Sequence, residues 1–334
     1  MTQPVTLLEV WRGGYLESIH SGHIVICDAT GQVVEAFGDP DLEVFPRSSC
    51  KMLQALPLIE SGAAEAHGLR SSHLALACAS HNGAAIHVGP VRSWLEDIGM
   101  SETALRCGAQ EPKDREEREA LITSGEAPCQ MHNNCSGKHT GFLTLGKHLG
   151  AGPEYVDVDH PVQKAVRSAF EDMTGQEALG YGIDGCSAPN FRTTLTGLAR
   201  AAARMAAPQG LGAAREAAAQ SLTTAMMEHP ELVAGEGRAC TELMRAAQGK
   251  AALKTGAEGV FVGILPGRGL GIALKASDGG TRAAEAAIAA MLARYGVLSQ
   301  DDPVFRRYSS GPILNWRGLN TGEFRTPPML QSPA

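Results

Sequence analysis

The chain is poor in aromatic residues and has no excess of basic charge. Aromatic residues make up 5% of its 334 residues, and the formal net charge is −7. A surface that binds phosphates needs an excess of Lys and Arg, so this charge argues against nucleic acid as a partner. No run of about 18 apolar residues occurs, which argues against a transmembrane helix and a membrane partner.

The N terminus, "MTQPVTLLEV", shows no basic segment followed by an apolar one. We therefore expect no secretory signal and a cytoplasmic location. In that compartment the eight cysteines are expected to be free thiols or metal ligands rather than a disulfide framework.

Lysine is also scarce, since only eight of the 29 basic residues are lysines. Lys51 is the one with a serine three residues before it, in the stretch "FPRSSCKML". In a helix, Ser48 and Lys51 share one face, and a serine beside a lysine that can lose its proton is a nucleophile with its own base. A serine that caps the start of a helix produces a similar pattern, so that alternative stays open.

Two further motifs extend this first pair. Ser80 and Asn82 lie in "CASHNG", and Lys254 begins "KTGAEG" ahead of an apolar strand pattern. Taken singly, the Ser80 motif fits a loop whose side chains bond to the local backbone, and the Lys254 motif fits a surface turn. Together, Ser-x-x-Lys, Ser-x-Asn and Lys-Thr-Gly in this order are the signature of serine β-lactamases and penicillin-binding proteins. The interval from Ser48 to Ser80 is short for that class and the next one is long, which disfavours an ordinary β-lactamase.

Two glycine-rich segments suggest a metal site. "HNNCSGKHTGF" (132–142) contains Cys135, and "IDGCSAPNF" (183–191) contains Cys186. Two thiolates with nearby nitrogen donors can bind zinc, and two buried free thiols are the alternative. From residue types alone, His132 or His139 is preferred over Lys138 as a further ligand.

The pattern of elements predicts strands at both ends of the chain with helices between them. We predict one antiparallel sheet built from N-terminal and C-terminal strands, with a helical lobe inserted. The sheet lobe is expected to comprise 1–47 and about 250–334, and the mainly helical lobe about 48–249. The remaining predictions are strands at 5–12, 23–27, 33–38, 259–265 and 270–275, loops at 129–141 and 180–190, helices at 194–228 and 281–296, and an irregular tail after 309.

Several motifs at once resemble the rhizobial-type (class 3) L-asparaginases. They are "RSSCKMLQALPL", "ACASHNG" followed by His87, "HNNCSGKH", "GIDGCSAPNF", "LVAGEGR" and "KTGAEGV", and they extend over nearly the whole chain. The resemblance implies an α/β, serine-β-lactamase-like fold, a homodimer, and hydrolysis of L-asparagine to aspartate and ammonia.

The resemblance also implies roles for individual residues. Ser48 with Lys51, and Ser80 with Lys254, correspond to two Ser–Lys pairs. The zinc (Zn2+) ligands correspond to Cys135, Lys138 and Cys186, with water completing the shell. The residues expected to bind substrate are Arg47 at its carboxylate, Asp184 at its amine, and His139 and Asn82. Thr255 departs from the residue that usually follows the second lysine in the family.

The implied mechanism is acyl transfer through a serine. Lys51 is expected to take the proton of Ser48, which attacks the side-chain amide carbon of asparagine while backbone N–H groups stabilise the oxyanion. The sequence leaves open which serine attacks, and helix geometry favours Ser48. The alternatives are a glutaminase, a β-lactam-reactive hydrolase, or a non-catalytic zinc-binding protein.

Overall fold

A computed structural model describes residues 2–331 of the chain. Its strands are β1 (Val5–Arg12), β2 (Tyr15–Cys27), β3 (Val33–Phe37), β4 (Glu43–Val44), β5 (Tyr181–Ile183), β6 (Pro189–Phe191), β7 (Thr193–Thr194), β8 (Ala252–Thr255), β9 (Val260–Leu265), β10 (Leu270–Ala276), β11 (Pro312–Leu314) and β12 (Asn320–Arg325).

The α-helices of the same residues range from single turns of 4 residues to a helix of 16 residues. They are α1 (Lys51–Glu60), α2 (Ala63–Ala66), α3 (Ser71–Ala77), α4 (Ala85–Asp97), α5 (Arg115–Ser124), α6 (Ser136–His148), α7 (Pro161–Thr174), α8 (Leu195–Ala206), α9 (Ala213–Glu228), α10 (Pro230–Val233), α11 (Ala239–Ala247), α12 (Thr281–Arg294), α13 (Pro303–Ser309) and α14 (Pro328–Gln331). Across the described part of the chain, none of these helices has the length and apolar character needed to cross a membrane.

The chain forms two compact units. The first contains the described parts of Met1–Ser49, Thr193–Ala207 and Glu242–Ala334, and the second contains Cys50–Arg192 and Pro208–Thr241. The assignment of these segments to a sheet lobe and a helical lobe, as the sequence suggests, stays a prediction.

The first unit is built on an antiparallel sheet with the strand order β11-β12-β1-β2-β10-β9-β8, and β3 pairs with β2 as well. The N-terminal and C-terminal strands meet where β2 pairs with β10, for example at Val25 and Ala273. The predicted mixed α/β class, with one sheet drawn from both ends of the chain, is therefore confirmed.

Helices cover both faces of this sheet. A Cβ atom on Gly271 of β10 would lie 2.0 Å from the backbone nitrogen of Ala203, so α8 packs closely on that face. On the opposite face, Gly263 of β9 lies against Ile288 of α12. Burial from both sides explains why every residue of β9 is buried and apolar apart from glycine.

The C-terminal tail is not irregular, and that prediction is wrong. β12 pairs with β1, with Glu9 opposite Arg325, and β11 pairs with β12 at the edge of the sheet. Pro312 is the first residue of the edge strand, a position where its missing N–H is tolerated. Among the described residues of this tail, Gly311 precedes β11, Gly318 lies in the turn between β11 and β12, and Pro328 begins α14; residues 332–334 lie outside the described residues.

The second unit is mainly helical. The central helix α1, whose residues Lys51–Leu58 are all buried, packs against α6, α7 and α9. The predicted loop at 129–141 is wrong in its second half, because α6 begins at Ser136 and is buried through Gly146. Its glycines suggest a loop, yet Gly137 allows α6 to approach α3 closely. The predicted loop at 180–190 contains the short hairpin β5–β6, with Tyr181 opposite Phe191.

Candidate active site

Ser48 lies in a short 3-10 turn, Arg47–Cys50, that leads directly into α1. Arg47 has a φ of 54°, a left-handed conformation that costs a non-glycine residue ~1–3 kcal/mol and persists where surrounding contacts impose it. The neighbouring Ser49 is fully buried, and its Oγ donates to the carbonyl of Pro46 at 2.7 Å. Ser48 is half-buried. Of the two adjacent serines, Ser48 is the more exposed, and its role as the nucleophile stays a prediction.

The end of strand β8 lies against this turn within the first unit. A Cβ atom on Gly256 would be 2.6 Å from the carbonyl oxygen of Pro46 and 3.2 Å from the backbone nitrogen of Ser49. Lys254, two residues earlier, is fully buried, and its Nζ donates to the carbonyl of Thr255 at 2.9 Å. The strand of the second predicted lysine therefore ends beside the turn that carries the first predicted serine, which the sequence does not indicate.

Lys51 is the first residue of α1 and lies in the second unit. Its side chain is 1% exposed. Its Nζ donates to the carbonyl of Ala79, the residue before Ser80, and to the Sγ of Cys135 at 3.1 Å. The lysine predicted as a base thus contacts a cysteine predicted as a metal ligand. Sequence reasoning missed this contact because 84 residues separate the two side chains.

The backbone around Ser80 is fixed by the segment 233–238, part of the "LVAGEGR" motif. The N–H of Ser80 donates to the carbonyl of Val233 at 2.8 Å. Asn82 donates from Nδ2 to the carbonyl of Glu236 at 3.2 Å and accepts a hydrogen bond from Arg238 at 3.1 Å. Its amide therefore holds two loops together, and substrate binding by Asn82 stays a prediction.

His81 connects the Ser80 loop to the start of α6, and the sequence did not predict this contact. Its Nδ1 accepts a hydrogen bond from the N–H of Gly83 at 3.0 Å, so its Nε2 donates to the Oγ of Ser136 at 2.9 Å. Its backbone N–H donates to the carbonyl of Asn134 at 3.2 Å. The Ser80 loop and the start of α6 are thereby held in a fixed relation within this unit.

Cys135, Lys138 and Cys186 form a buried cluster. Cys135 precedes α6 and Lys138 lies in its first turn, so a spacing of three residues brings both side chains to one side. Cys186 lies in the turn between β5 and β6, and the Nζ of Lys138 is 3.1 Å from its sulfur. Cys135 and Cys186 are also close enough to shift each other's pKa. The structure thus brings the three predicted zinc ligands together.

The charges in this cluster are unequally distributed. Hydrogen bonding from Cys135, followed by the nearby Lys138, holds the pKa of Cys186 well below its ordinary value despite burial. Its hydrogen bond to Cys186, together with burial, raises the pKa of Cys135. Burial alone would lower the pKa of Lys138, but the two sulfur atoms raise it above its ordinary value. The two shifts have a common cause, because an anionic Cys186 and a cationic Lys138 stabilise each other.

His139 completes the polar surroundings of Cys186. Burial lowers the pKa of this histidine to about 4, so the ring is neutral near pH 7. Its Nδ1 lies 2.8 Å from the hydroxyl of Tyr155. Within residues 2–331, its buried Nε2 has no hydrogen-bond partner of ordinary geometry, although the ring interacts with Cys186.

The donor set fits zinc. In the described residues no group of three His, Cys, Asp or Glu side chains is arranged to hold a metal ion. The cluster instead combines two thiols with an amine, and soft sulfur ligands favour Zn2+. The Nε2 of His139, buried beside it without a partner, is a further nitrogen of this set. His132, the alternative ligand from residue types alone, lies elsewhere, since it binds the N–H of Cys129 and the carboxylate of Glu117.

Asp184 lies near the cluster without belonging to it. One of its carboxylate oxygens accepts a hydrogen bond from the N–H of Gly185 at 2.7 Å, and its charge contributes to the raised pKa of Lys138. Ser187, directly after Cys186, has a φ of 70°, so the turn that presents the cysteine is strained like the turn before Ser48.

Several solved structures are similar to this chain. Two solved structures of Mglu match at 14% identity and cover 84% of this chain. Mglu in its native form gives a TM-score of 0.47 with 66% of its chain covered, and its tris and glutamate form gives 0.48 with 60% covered. The chain thus spans less than two thirds of either Mglu chain.

A structure described as a beta-lactamase from Mycobacterium bovis matches at 13% identity with a TM-score of 0.45, covering 79% of this chain and 89% of that one. No curated protein matches the sequence.

The family comparison covers nearly the whole chain. The sequence model of the L-asparaginase II family matches residues 8–326, which include both serines, both lysines and the whole cysteine–lysine cluster. The resemblance seen in the motifs is therefore confirmed at the level of the family. The chain belongs to the L-asparaginase II family.

Proposed function

We propose that this member of the L-asparaginase II family is an amidohydrolase acting on a small-molecule substrate, and specifically an L-asparaginase that uses a Ser–Lys nucleophile with a zinc site close by. The observation that carries the proposal is the buried convergence of Lys51, Cys135, Lys138 and Cys186 in one unit of a chain from this family. Lysine side chains are rarely fully buried unless they are paired or bind metal, and here two of them lie against cysteine sulfur atoms.

In the proposed reaction, Ser48 Oγ attacks the side-chain amide carbon of asparagine. Its proton passes to a neutral lysine, for which Lys51 is the candidate, and then to the departing nitrogen, so that ammonia leaves and an aspartyl ester remains. Water hydrolyses the ester and restores the serine. Ser80 and Lys254 are proposed to transfer protons in one of the two half-reactions.

Zinc would be held by Cys135, Lys138 and Cys186. When bound, it would fix the turn that contains Cys186 and supply positive charge near the substrate. Lys138 must be neutral to act as a ligand, so its ammonium proton must leave. Arg47 and Asp184 are proposed to bind the substrate carboxylate and amine, and His139 and Asn82 are the other candidates for substrate contact.

The experiment that tests the nucleophile compares Ser48→Ala with its neighbour Ser49→Ala. We expect Ser48→Ala to lose at least about a thousandfold in ammonia release from L-asparagine, because a covalent nucleophile has no substitute. Ser49→Ala removes only the hydrogen bond to Pro46. This control should keep most of the turnover, with a thermal unfolding curve to confirm that it folds. More than a few per cent of activity in Ser48→Ala would show that the assignment is wrong.

Substrate choice is tested with glutamine, which is longer than asparagine by one methylene. Packing alone can discriminate that difference by about 1–3 kcal/mol, so stronger selectivity requires fixed anchors for the α-carboxylate and α-amine. We expect Asp184→Asn to raise the KM for asparagine while zinc content stays intact. Loss of zinc together with activity would instead assign Asp184 to support of the metal site.

The homodimer and the cytoplasmic location are proposed on the resemblance and on the N-terminal sequence. Light scattering on the purified chain tests the first of these, and a mass of one chain would contradict it.

A further inference from the structure

Cys129 differs from the other cysteines of the chain in its exposure. The other seven are buried, whereas Cys129 is half-buried. It stands directly before the short 3-10 turn Gln130–His132. In such a turn, side chains three residues apart lie over each other. The turn therefore places the ring of His132 against the sulfur of Cys129, with Nδ1 3.3 Å from Sγ.

The hydrogen bonds of His132 determine which of its nitrogens presents a lone pair to the thiol. Nδ1 accepts a hydrogen bond from the backbone N–H of Cys129 at 3.0 Å, so the proton of the neutral ring lies on Nε2. Nε2 donates to Oε1 of Glu117 in α5 at 3.3 Å. His132 is 7% exposed, and the side chain of Glu117 is 20% exposed. A thiol, an imidazole and a carboxylate are thus linked in series, which is the arrangement that activates cysteine nucleophiles.

This series lies in the second unit and is separate from the proposed zinc ligands and from both Ser–Lys pairs. We propose that Cys129 is a reactive thiol, which hydrogen peroxide oxidises to a sulfenic acid with His132 as the base. The site is therefore one of reversible modification, in addition to the proposed hydrolysis of asparagine.

The surroundings of the sulfur favour a small, uncharged oxidant. Half-burial of Cys129 restricts the approach of bulky disulfides. A second carboxylate lies beside the turn, because Oε1 of Glu102 accepts the N–H of Gln130 at 2.8 Å. Together with Glu117 it repels anionic reagents. The lone pair of Nδ1 is also shared with the N–H of Cys129, which suits reaction with a strong oxidant better than turnover of an unreactive amide.

The proposed step is a two-electron oxidation. Nδ1 of His132 takes the thiol proton while Sγ attacks one oxygen of the peroxide. An S–O bond forms, the O–O bond breaks, and the sulfur becomes S–OH. The departing hydroxide receives the proton from the ring and leaves as water. Glu117 does not touch the reacting atoms, and it is a positioning residue that holds the ring and stabilises its positive charge.

The size of the activation has an upper limit. A free thiol is only a few per cent ionised at pH 7, so complete ionisation accelerates its reactions by about thirtyfold at most. The lower nucleophilicity of a more acidic thiol reduces that factor. We expect His132→Gln to slow alkylation of Cys129 by iodoacetamide at pH 7 by roughly tenfold, and Glu117→Gln to slow it by a smaller factor.

The test measures modification of the full chain residue by residue. Cys129 and Cys135 lie on one tryptic peptide, residues 119–138, so fragmentation spectra must assign the modified sulfur. One sample is alkylated with limiting iodoacetamide. A second is treated with hydrogen peroxide, and dimedone then traps sulfenic acid. His160→Gln is the matched control, because Nδ1 of His160 likewise accepts a backbone N–H, from Val162 at 3.2 Å, at the start of α7.

We expect Cys129 to be the first sulfur alkylated and the first trapped by dimedone, with unchanged rates in His160→Gln. Local unfolding in His132→Gln would expose the thiol and raise the rate, so a fall reports loss of the base. An unchanged or higher rate in that variant would overturn the proposal.

Two results on the wild type decide the matter even if the variants fail to fold. Alkylation of Cys129 no faster than in a synthetic peptide of residues 119–132, which contains the same side chains without the fold, would overturn the activation. Rapid alkylation without dimedone trapping at Cys129 would overturn the reaction with peroxide. Neither readout depends on asparaginase activity or on zinc.

Discussion

Gly137 lies between Cys135 and Lys138 in α6, and replacing it with alanine tests whether close helix packing positions the cluster. An added Cβ atom would lie 2.4 Å from the carbonyl oxygen of Leu76 in α3 and 2.9 Å from its carbonyl carbon. Both are backbone atoms, so no side-chain rotation can relieve the clash. The two helices must separate locally by at least about half an ångström, because Cβ contacts shorter than 3.0 Å are essentially never found.

Two opposing effects determine the size of the loss. Overpacking a well-filled interior costs about 1–3 kcal/mol, and alanine recovers about 0.5–1 kcal/mol of helix propensity. We expect a net loss of about 1–2 kcal/mol, which lowers Tm by roughly 1–3 °C for a chain of this length. The displacement is also expected to reach Lys51, because the carbonyl of Leu76 accepts a hydrogen bond from the N–H of Ala79, and the carbonyl of Ala79 accepts one from Nζ of Lys51. Zinc affinity and turnover should therefore fall together.

The assay combines thermal unfolding, zinc titration and ammonia release, with Gly141→Ala as the control in the same buried helix. A Cβ atom there would be 3.4 Å from the flexible Cδ2 of Leu58, which is an ordinary contact. Gly141→Ala should be neutral or stabilising by up to about 1 kcal/mol. If the two variants behave alike, or if Gly137→Ala binds zinc as the wild type does, close approach of α6 to α3 does not position the cluster.

Three further outcomes are expected. Lys51→Arg should release almost no ammonia from asparagine, because a guanidinium keeps its proton at working pH; substantial turnover would show that Lys51 acts only through its charge. Zinc should bind more tightly as pH rises, because the pKa values of Cys135 and Lys138 are raised and both groups must lose a proton to bind the metal. Calorimetry in buffers of different ionisation enthalpy measures the protons released on binding, and a release of none would contradict this prediction. Glu35→Gln should cost ~3 kcal/mol in unfolding free energy by breaking the pair with the buried Arg294. Burial alone would raise the pKa of Glu35, but the hydrogen bond from Arg294 lowers it. The stabilisation by this pair is therefore fully present above pH about 4.3, the ordinary pKa of a glutamate, and is lost as the pH falls below that value. Equal stability of the wild type and Glu35→Gln at pH 7 would refute the prediction.

Much of the fold could be predicted from local sequence patterns. The strand predictions at 5–12 and 270–275 correspond to β1 and β10, and the predicted helix at 281–296 corresponds to α12. The spacing of apolar residues and the residue types predict which side of an element is buried, provided that the element has a regular apolar face. The prediction failed at α6 and at β11–β12, where glycine serves close packing and proline starts an edge strand rather than breaking the structure.

The sequence by itself determined which residue types and motifs are present: the serines, lysines and cysteines at intervals typical of one family. Only the tertiary structure decided their neighbours. Ser49 is buried and bonded whereas Ser48 is half-buried, and Lys51 reaches Ala79 and Cys135 across separations of 28 and 84 residues. The physical reason is that helical and strand periods specify which face of an element is buried. The partner against which that face packs is decided by long-range contacts that no local period records.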